Sequence, residues 1–413
     1  MLPIAFVAIA VTSVIGLCRP RVGRWRAGPA LASLAGVFVL ALFGLVEMSD
    51  AGMALGALFP ALIGIASMMV MTACVAHLSS LDVLAAWVER RVGSSTLALF
   101  VVVFCGSFVT SSILNNDAAV VVNTTLVASL LRRRFARRAE VVEPFLLAVF
   151  LGAGVAPLAV SNPMNLAVAH LAHIDFLTYA KTMLPVSLVG ASVTLAVLVI
   201  IYRRHLRGDA ALSVPAVIKN SDARLGLLLV GFVLVSYVAM SLASMPSWPI
   251  ALAGALVSLW LVRRNGASAF TALREGVAVE VLVVLPLVFV FAAGLCRGGL
   301  VDAFTPLLAH QGAFQVGAVS AIGSALMNNH TMALINMSVL LEGNGVGDRE
   351  IFAALIGGDL GPRLLPFGSL AGLLWLDALA RQGLSLPLRR FVIVGVCTGV
   401  PALAASLLAL RVI

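Results

Sequence analysis

Apolar runs alternate with short basic clusters along almost the whole chain. Stretches near residues 1–17, 29–47, 53–77, 181–201, 224–243, 247–262, 277–295 and 391–410 are close to uniformly apolar. Each approaches the roughly 20 residues that a helix needs to cross hydrocarbon, and each predicts a spanning helix. Between about 95–175 and 302–380 the chain is as apolar, but Asn, Ser, Asp, Gly and Pro interrupt it. Lipid offers no partner to a freed backbone N–H or C=O, so such breaks survive only where protein or a wet cavity covers them. These two regions therefore predict broken or re-entrant helices.

Composition narrows the class. With 413 residues, 61% hydrophobic and only 11% charged, and a mean hydropathy of +1.10, the expected fold is an all-α polytopic membrane protein with about 10–12 membrane segments. Its main surroundings are then the lipid bilayer. The net charge of +9 does not point to nucleic acid, because the Arg residues fall in short clusters between apolar runs. Arg19/Arg21/Arg24/Arg26, Arg90/Arg91, Arg132 to Arg138, Arg203/Arg204/Arg207, Arg263/Arg264 and Arg389/Arg390 all fit cytoplasmic loops if Met1 starts outside. Asp50 and the turn from Ser244 to Pro249 then fall outside. Met1 to Leu17 lacks a basic region before it and a small-residue cleavage pattern after it, and is expected to be a retained first span.

Chemistry of other classes finds no support. Cys18, Cys74, Cys105, Cys296 and Cys397 are scattered without a C-x-x-C, implying neither a disulfide framework nor a metal site. No G-x4-G-K-[ST] occurs, and the two lysines, Lys181 and Lys219, follow no glycine-rich loop. No cofactor or hydrolytic constellation is expected, so the chain is not read as an enzyme.

The interrupted regions carry an internal repeat. Asn115-Asn116 and Asn328-Asn329 lie 213 positions apart, each with a Ser four residues before its first Asn, at Ser111 and Ser324. Gly152-x4-Pro157 and Gly357-x4-Pro362 follow, their prolines 41 and 33 residues beyond the respective Asn pairs. The intervening loops differ in sign. Residues 132–140 hold five Arg and one Glu, whereas residues 342–350 hold three acids and one Arg. A basic loop stays inside and an acidic one need not, which predicts two inverted repeats, 1–208 and 209–413.

The stretch Ala353 to Trp375 contains GGDLGPRLLPFGSLAGLLW, with five glycines, two prolines, Asp359 and Arg363. That signature resembles one near the C-terminus of the bacterial arsenite efflux permeases, within the larger ion transporter superfamily. The resemblance extends through Ser112-Ile-Leu-Asn115-Asn116-Asp117, Ser161-Asn162-Pro163-Met164-Asn165 and Met327-Asn328-Asn329. The chain departs from the family pattern in having Gly358 for Cys, Arg363 for Lys, Leu365 for Thr, and His330-Thr331 where a Pro follows the second Asn pair. What the resemblance implies is efflux of arsenite and antimonite across the bacterial inner membrane by proton antiport. It also admits assembly with a soluble arsenite-stimulated ATPase subunit. Na⁺/H⁺ exchange, an organic anion or silicate on the same scaffold is the alternative cargo; a passive channel is the alternative class.

The expected site lies where the breaks converge near the midplane. Ser111, Ser112, Asn115, Asn116 and Asp117 are expected to face Ser324, Asn328, Asn329, His330 and Thr331, with Ser161, Asn162, Asn165, Pro157, Gly358, Pro362 and Ser369 in the turns that close it. Asn amides and Ser/Thr hydroxyls both donate and accept hydrogen bonds, which suits a neutral polyhydroxyl such as As(OH)₃. The same groups also serve as caps for broken helix ends. Asp117 is the favoured proton carrier, with His330 at the matching position of the other half and Asp359 as a further candidate. Asp359 and Arg363, four apart, would pair on one face of a helix, while Gly361 and Pro362 between them argue for an unwound turn.

Overall fold

The computed structural model describes residues 1–18, 20–22, 25–26, 28–78, 93–114, 116–210, 223–243, 245–246, 248–277, 279–342 and 347–413. Asn115, Arg19, Arg24, Arg90, Arg91, Lys219, Ser244 and the centre of the acidic stretch 342–350 lie outside the described residues. The first half holds α1 (Leu2–Cys18), a two-residue hairpin of β1 (Arg21–Val22) and β2 (Trp25–Arg26), α2 (Pro29–Leu42), α3 (Met48–His77), α4 (Thr96–Ile113), α5 (Asn116–Arg134), α6 (Val142–Gly152), α7 (Pro163–Leu171) and α8 (Phe176–Tyr202). The second half holds α9 (Ala223–Leu242), α10 (Trp248–Arg264), α11 (Ala269–Gly276), α12 (Val279–Arg297), α13 (Leu300–Leu308), α14 (Ala313–Met327), α15 (Asn329–Glu342), α16 (Asp348–Leu360), α17 (Leu370–Arg381) and α18 (Leu388–Val412). The chain is thus an all-α polytopic membrane protein.

The apolar pattern carries through to these elements. Among the described residues, Leu58–Val75, Thr96–Ile113, Phe176–Tyr202 and Leu388–Val412 are long and apolar enough to cross a membrane. A fifth crossing is available if Leu282–Arg297 and Leu300–Leu308, bent by 89° at Gly298-Gly299, count as one broken span. That bend is held by an ion pair. Arg297 Nη1 and Nη2 each donate at 2.6 Å to the carboxylate of Asp50, at the start of α3, a two-pronged geometry that fixes orientation as well as distance.

Most other apolar helices are shorter because the chain breaks where the polar marks predicted. α4 stops at Ile113 and α5 restarts at Asn116; α14 stops at Met327 and α15 restarts at Asn329. Asn328 takes φ 78° at the second break, a backbone conformation that Asn tolerates better than most residues. Its side-chain oxygen accepts from the His330 N–H at 3.0 Å and so caps α15. Each half then unwinds again. Residues 153–162 join α6 to α7 through a 3₁₀ turn at Ala159–Ser161, and residues 361–369 join α16 to α17 through turns at Gly361–Arg363 and Pro366–Gly368.

Packing repeats between the halves. α6 lies on α4 as α16 lies on α14, and α5 packs on α17 as α15 packs on α7. Gly152 meets Phe104 O, Ser107 Cβ and Phe108 N, while Gly357 meets Gly317 O, Ser320 Cβ and Ala321 N, the same three positions shifted by 213. Backbone contact this close requires the missing side chain. Asn123 donates to Thr110 Oγ1 at 2.7 Å, and Asn336, again 213 later, to Ser320 Oγ at 2.9 Å.

The last helices of the halves, α8 and α18, run antiparallel. Tyr202 at the end of α8 and Arg390 at the start of α18 both bond to Glu143, while Gly190 faces Ser406 further along. α6 begins beside this end. α16 begins beside the opposite end, where Phe352 meets Tyr179 edge-on at 5.8 Å, roughly 35 Å along α8 at 1.5 Å per residue. The Tyr202 end is the basic one. Arg138 there donates to Thr96 Oγ1 and to the carbonyls of His205 and Arg207.

Candidate functional site

Asp359 is the residue on which the site is built. It sits in the last turn of α16, just before Gly361 and Pro362 end the helix. Its carboxylate is buried and reaches across to the first half. Oδ2 accepts from the Ala156 N–H at 2.9 Å and from Asn165 Nδ2 at 2.8 Å; Oδ1 accepts from Asn162 Nδ2 at 2.7 Å. One carboxylate thus satisfies donors from the unwound segment 153–162 and from the first turn of α7. Buried charge without such partners would be costly, and the unwound backbone needs an acceptor for its freed N–H.

The local sequence makes these donors available. Asn162 caps α7, its Oδ1 accepting from the Met164 N–H at 3.1 Å, so its amide NH₂ is directed elsewhere. Pro163 at the first helical position gives up no backbone donor there. Asn165 Nδ2 also lies 2.7 Å from the Tyr179 hydroxyl, which in turn donates to Ala156 O at 3.2 Å. The result is a closed network of α16, α7, α8 and the 153–162 segment.

Arg363 reaches the same region from the 3₁₀ turn. Its Nη1 donates to Thr194 Oγ1 at 2.6 Å and its Nη2 to Leu151 O at 2.8 Å, the latter an orphan carbonyl in the last turn of α6. The spacing of Asp359 and Arg363 suggested a pair. No ion pair within 4.0 Å joins them among the described residues, because the helix ends between them and the guanidinium turns toward α6 and α8. Gly154 sits against Arg363 Nη2, where any Cβ would collide. That explains a glycine in the first unwound segment.

Between these elements lies a small cavity, drawn from both halves. Asn116, Val120, Phe150, Ala153, Gly154 and Asn162 line it from one side; Asn329, Asp359, Pro362, Arg363, Ser369 and Ala371 line it from the other. Among the described residues, Asp359 and Arg363 are its only charged lining residues. Three buried polar atoms of the lining have no hydrogen-bond partner: Asn116 Oδ1, Asn329 Oδ1 and Arg363 Nε. Buried polar groups are seldom left so, and a cluster of them on residues that line one cavity marks a place for a ligand.

The structure thus brings together Asn116, Asn162, Asn329, Asp359, Pro362, Arg363 and Ser369 of the predicted set. Ser369 also caps α17, accepting from the Gly372 N–H at 3.1 Å. Asn165 stands behind the wall, on Asp359. Others do not reach the cavity lining. Asn328 is spent on its cap, Ser112 donates to Phe108 O and Ser161 to Leu158 O. Gly358 packs on Met164, and Ser324 packs under Gly361. Ser111, Asp117, Pro157, His330 and Thr331 are buried beside the tips without lining it. Asn115 lies outside the described residues.

Sequence reasoning missed Thr194, Tyr179, Gly154, Phe150 and the amides Asn123 and Asn336. The last two had a signal. They keep the 213 offset of the Asn pairs and follow Asn116 and Asn329 by seven residues, two helical turns on the same face.

A polytopic helical protein with a polar interior site assembled from two sets of broken helices is built as a membrane transporter. The family described as arsenical pump membrane protein matches residues 9–413, and the chain belongs to that family. It is 27% identical over 336 residues to the arsenical pump membrane protein of Yersinia enterocolitica, covering 77% of this chain and 78% of the relative. It is likewise 27% identical to proteins of that name from Escherichia coli, over 335 residues, and Shigella flexneri, over 341 residues, with the same coverage of each chain.

Proposed function

We propose that the chain expels trivalent arsenic and antimony hydroxides across the bacterial inner membrane in exchange for protons. The observation that carries this is the cavity between the halves, lined in equal measure by both sets of broken helices and holding unpartnered amide oxygens. Neutral hydroxides such as As(OH)₃ donate and accept hydrogen bonds, as these amides do, and the family and relatives carry the name of arsenical pumps. The cavity is small, so binding and release entail motion of one bundle against the other.

In this reading the halves, 1–208 and 209–413, are inverted repeats. The 213-residue offset shared by packing contacts, and the antiparallel course of α8 and α18, support that relation. Asp117, beside Asn116 at the first turn of α5 and buried, is the proton carrier. Asp359, with both oxygens committed to the first half, ties the two unwound segments together. His330, whose Nδ1 lies 3.2 Å from Asn328 Oδ1, sits at the matching place in the second half and supports the second hairpin tip. A soluble arsenite-stimulated ATPase subunit would dock at the basic end, which faces the cytoplasm in this orientation.

The test is arsenite uptake into everted membrane vesicles energised by respiration. Accumulation that a protonophore abolishes, and that Asp117→Asn eliminates, is the expected result. Protonophore-insensitive accumulation removes the antiport, and a vesicle that takes up sodium or an organic anion but no arsenite removes the cargo. Accumulation that persists in Asp117→Asn moves the coupling to Asp359 or His330.

A further inference from the structure

Where α10 ends and α11 begins, the outer surface changes from apolar to basic. Leu252, Leu256 and Trp260 recur every four residues along α10, and Arg264 closes the series. All four are exposed while Ala255, Ser258 and Val262 are buried, so the four form one outward stripe. The Arg264 guanidinium lies 5.5 Å from the centre of the Trp260 ring, a stacking distance. The chain then turns at Gly266, with φ 75°, and α11 folds back against α3 and α10. α11 buries Ala272 and leaves Phe270 72% exposed and Arg274 exposed. Two residues to either side of Ala272, both face away from the bundle. Elsewhere Arg138, Arg297, Arg381 and Arg390 each pair with a carboxylate. Among the described residues, no carboxylate pairs with Arg264 or Arg274.

We propose that, whatever the cargo, this surface binds an anionic phospholipid, its phosphate held by Arg264 and Arg274 and an acyl chain laid along Trp260, Leu256 and Leu252. The order of groups along α10 is the order within such a lipid: chain, interface, phosphate. From Leu252 to Arg264 is about 18 Å at 1.5 Å per residue, close to the depth of one leaflet, roughly 20 Å with its headgroups. A Trp at that boundary keeps its ring among the chains and its N–H in the wet layer. A guanidinium stacked on the ring presents its N–H edge outward, and that planar fork matches phosphate oxygens. Phe270 and Arg274 give α11 an outward face of one aromatic and one cation, the composition of a helix lying in the headgroup layer. A zwitterionic lipid gains less here, because its own cation competes for the phosphate. A soluble acidic protein would meet the two arginines but not Leu252 and Leu256, which lie below the headgroups.

The experiment uses the full chain in micelles of a neutral detergent. The midpoint of thermal denaturation is followed as dioleoyl phosphatidylglycerol, dioleoyl phosphatidylcholine or inorganic phosphate is added. Phosphatidylglycerol is expected to raise the midpoint to a plateau, and the other two are not. Each arginine beside an anionic headgroup contributes about fivefold in affinity, so Arg264→Gln and Arg274→Gln should each raise the half-saturating lipid fraction about fivefold, and the two together about 25-fold. Trp260→Leu keeps the apolar stripe, removes the stack and should weaken phosphatidylglycerol as well. Arg203→Gln/Arg204→Gln removes two exposed arginines just beyond α8 and should leave half-saturation unchanged. Half-saturation is read against each variant's own lipid-free midpoint, so a loss of stability does not obscure it. Equal shifts by phosphatidylcholine would reduce the surface to general solvation by lipid, and equal protection by inorganic phosphate to a bare anion site. A loss in Arg203→Gln/Arg204→Gln as large as in Arg264→Gln/Arg274→Gln would reduce it to net charge. Each of these overturns the inference, as does a phosphatidylglycerol curve that shows no rise or that Arg264→Gln/Arg274→Gln does not move.

Discussion

The contact between Asp359 and Asn162 joins the two halves across 197 residues of sequence, and it can be tested by exchanging its ends. In Asp359→Asn the new amide oxygen can still accept from Ala156 N–H and Asn165 Nδ2, the two donors that now share Oδ2. Its NH₂ then faces Asn162 Nδ2, donor against donor. Turning the Asn162 amide over would relieve that clash but break its bond from the Met164 N–H, the cap of α7, at about 1 kcal/mol. Leaving it in place strands a buried donor, at about 1–3 kcal/mol. Either way Asp359→Asn is expected to destabilise the protein by about 1–3 kcal/mol. Asn162→Asp alone is worse, because two buried carboxylates then oppose each other. Combined, the substitutions restore complementarity: Asp at 162 caps α7 as well as Asn does and accepts from the NH₂ at 359. The expected coupling is about 1–3 kcal/mol in the stabilising direction. The assay is the midpoint of thermal denaturation in detergent for all four members of the cycle. A double variant no more stable than the sum of the single losses would refute the placement of this bond.

Two further outcomes follow from packing and charge. Gly357→Ala drives a Cβ to 2.2 Å from Gly317 O and against Ser320 Cβ, so α16 must lift off α14; a loss of about 1–3 kcal/mol is expected. Gly106→Ala, in α4 with nothing near its Cβ, should be neutral or gain up to about 1 kcal/mol, and equal thermal midpoints for the two would sink the argument. The Arg297 guanidinium beside Asp50 holds that carboxyl below the ordinary carboxylate range. A depressed folded value means stability that is present above the unfolded carboxylate value, near pH 4, and lost as pH falls through the lower folded one. Asp50→Asn should therefore lower the thermal midpoint at pH 7, and the difference from the unaltered chain should shrink as the pH is taken below about 4; a difference that grows on acidification has the wrong sign.

The spans were legible because burying apolar length in lipid leaves few alternatives. The run expected at 181–201 is the core of α8, which starts at Phe176 because Asp175 caps Leu177 and Thr178, a signal short enough to pass for a loop. The breaks were legible too, since Asn328-Asn329 and Gly361-Pro362 supply the residues that tolerate or force a helix end. The partners across the break were not. Asp359 was read against Arg363, four residues away, whereas its donors come from Ala156, Asn162 and Asn165. Sequence spacing encodes contacts within a helix, and here the helix stops between the two residues.

Residue type alone also cannot say which polar groups are spent and which are open. Asn162, Asn328, Asn116 and Asn329 look alike in the sequence, and each flanks a break. The first two use their amide oxygens on the N–H groups of the helix that follows, as caps do everywhere. Asn116 and Asn329 open their helices as the first residues, where the oxygen is not needed by the turn it starts, and both oxygens remain unpartnered beside the cavity. Within the second Asn pair, one residue shapes the break and the other is left for the ligand. Ala in place of the capping residue should weaken the hairpin whatever the cargo, whereas Ala in place of Asn116 or Asn329 should leave the fold standing and act on the affinity for the substrate.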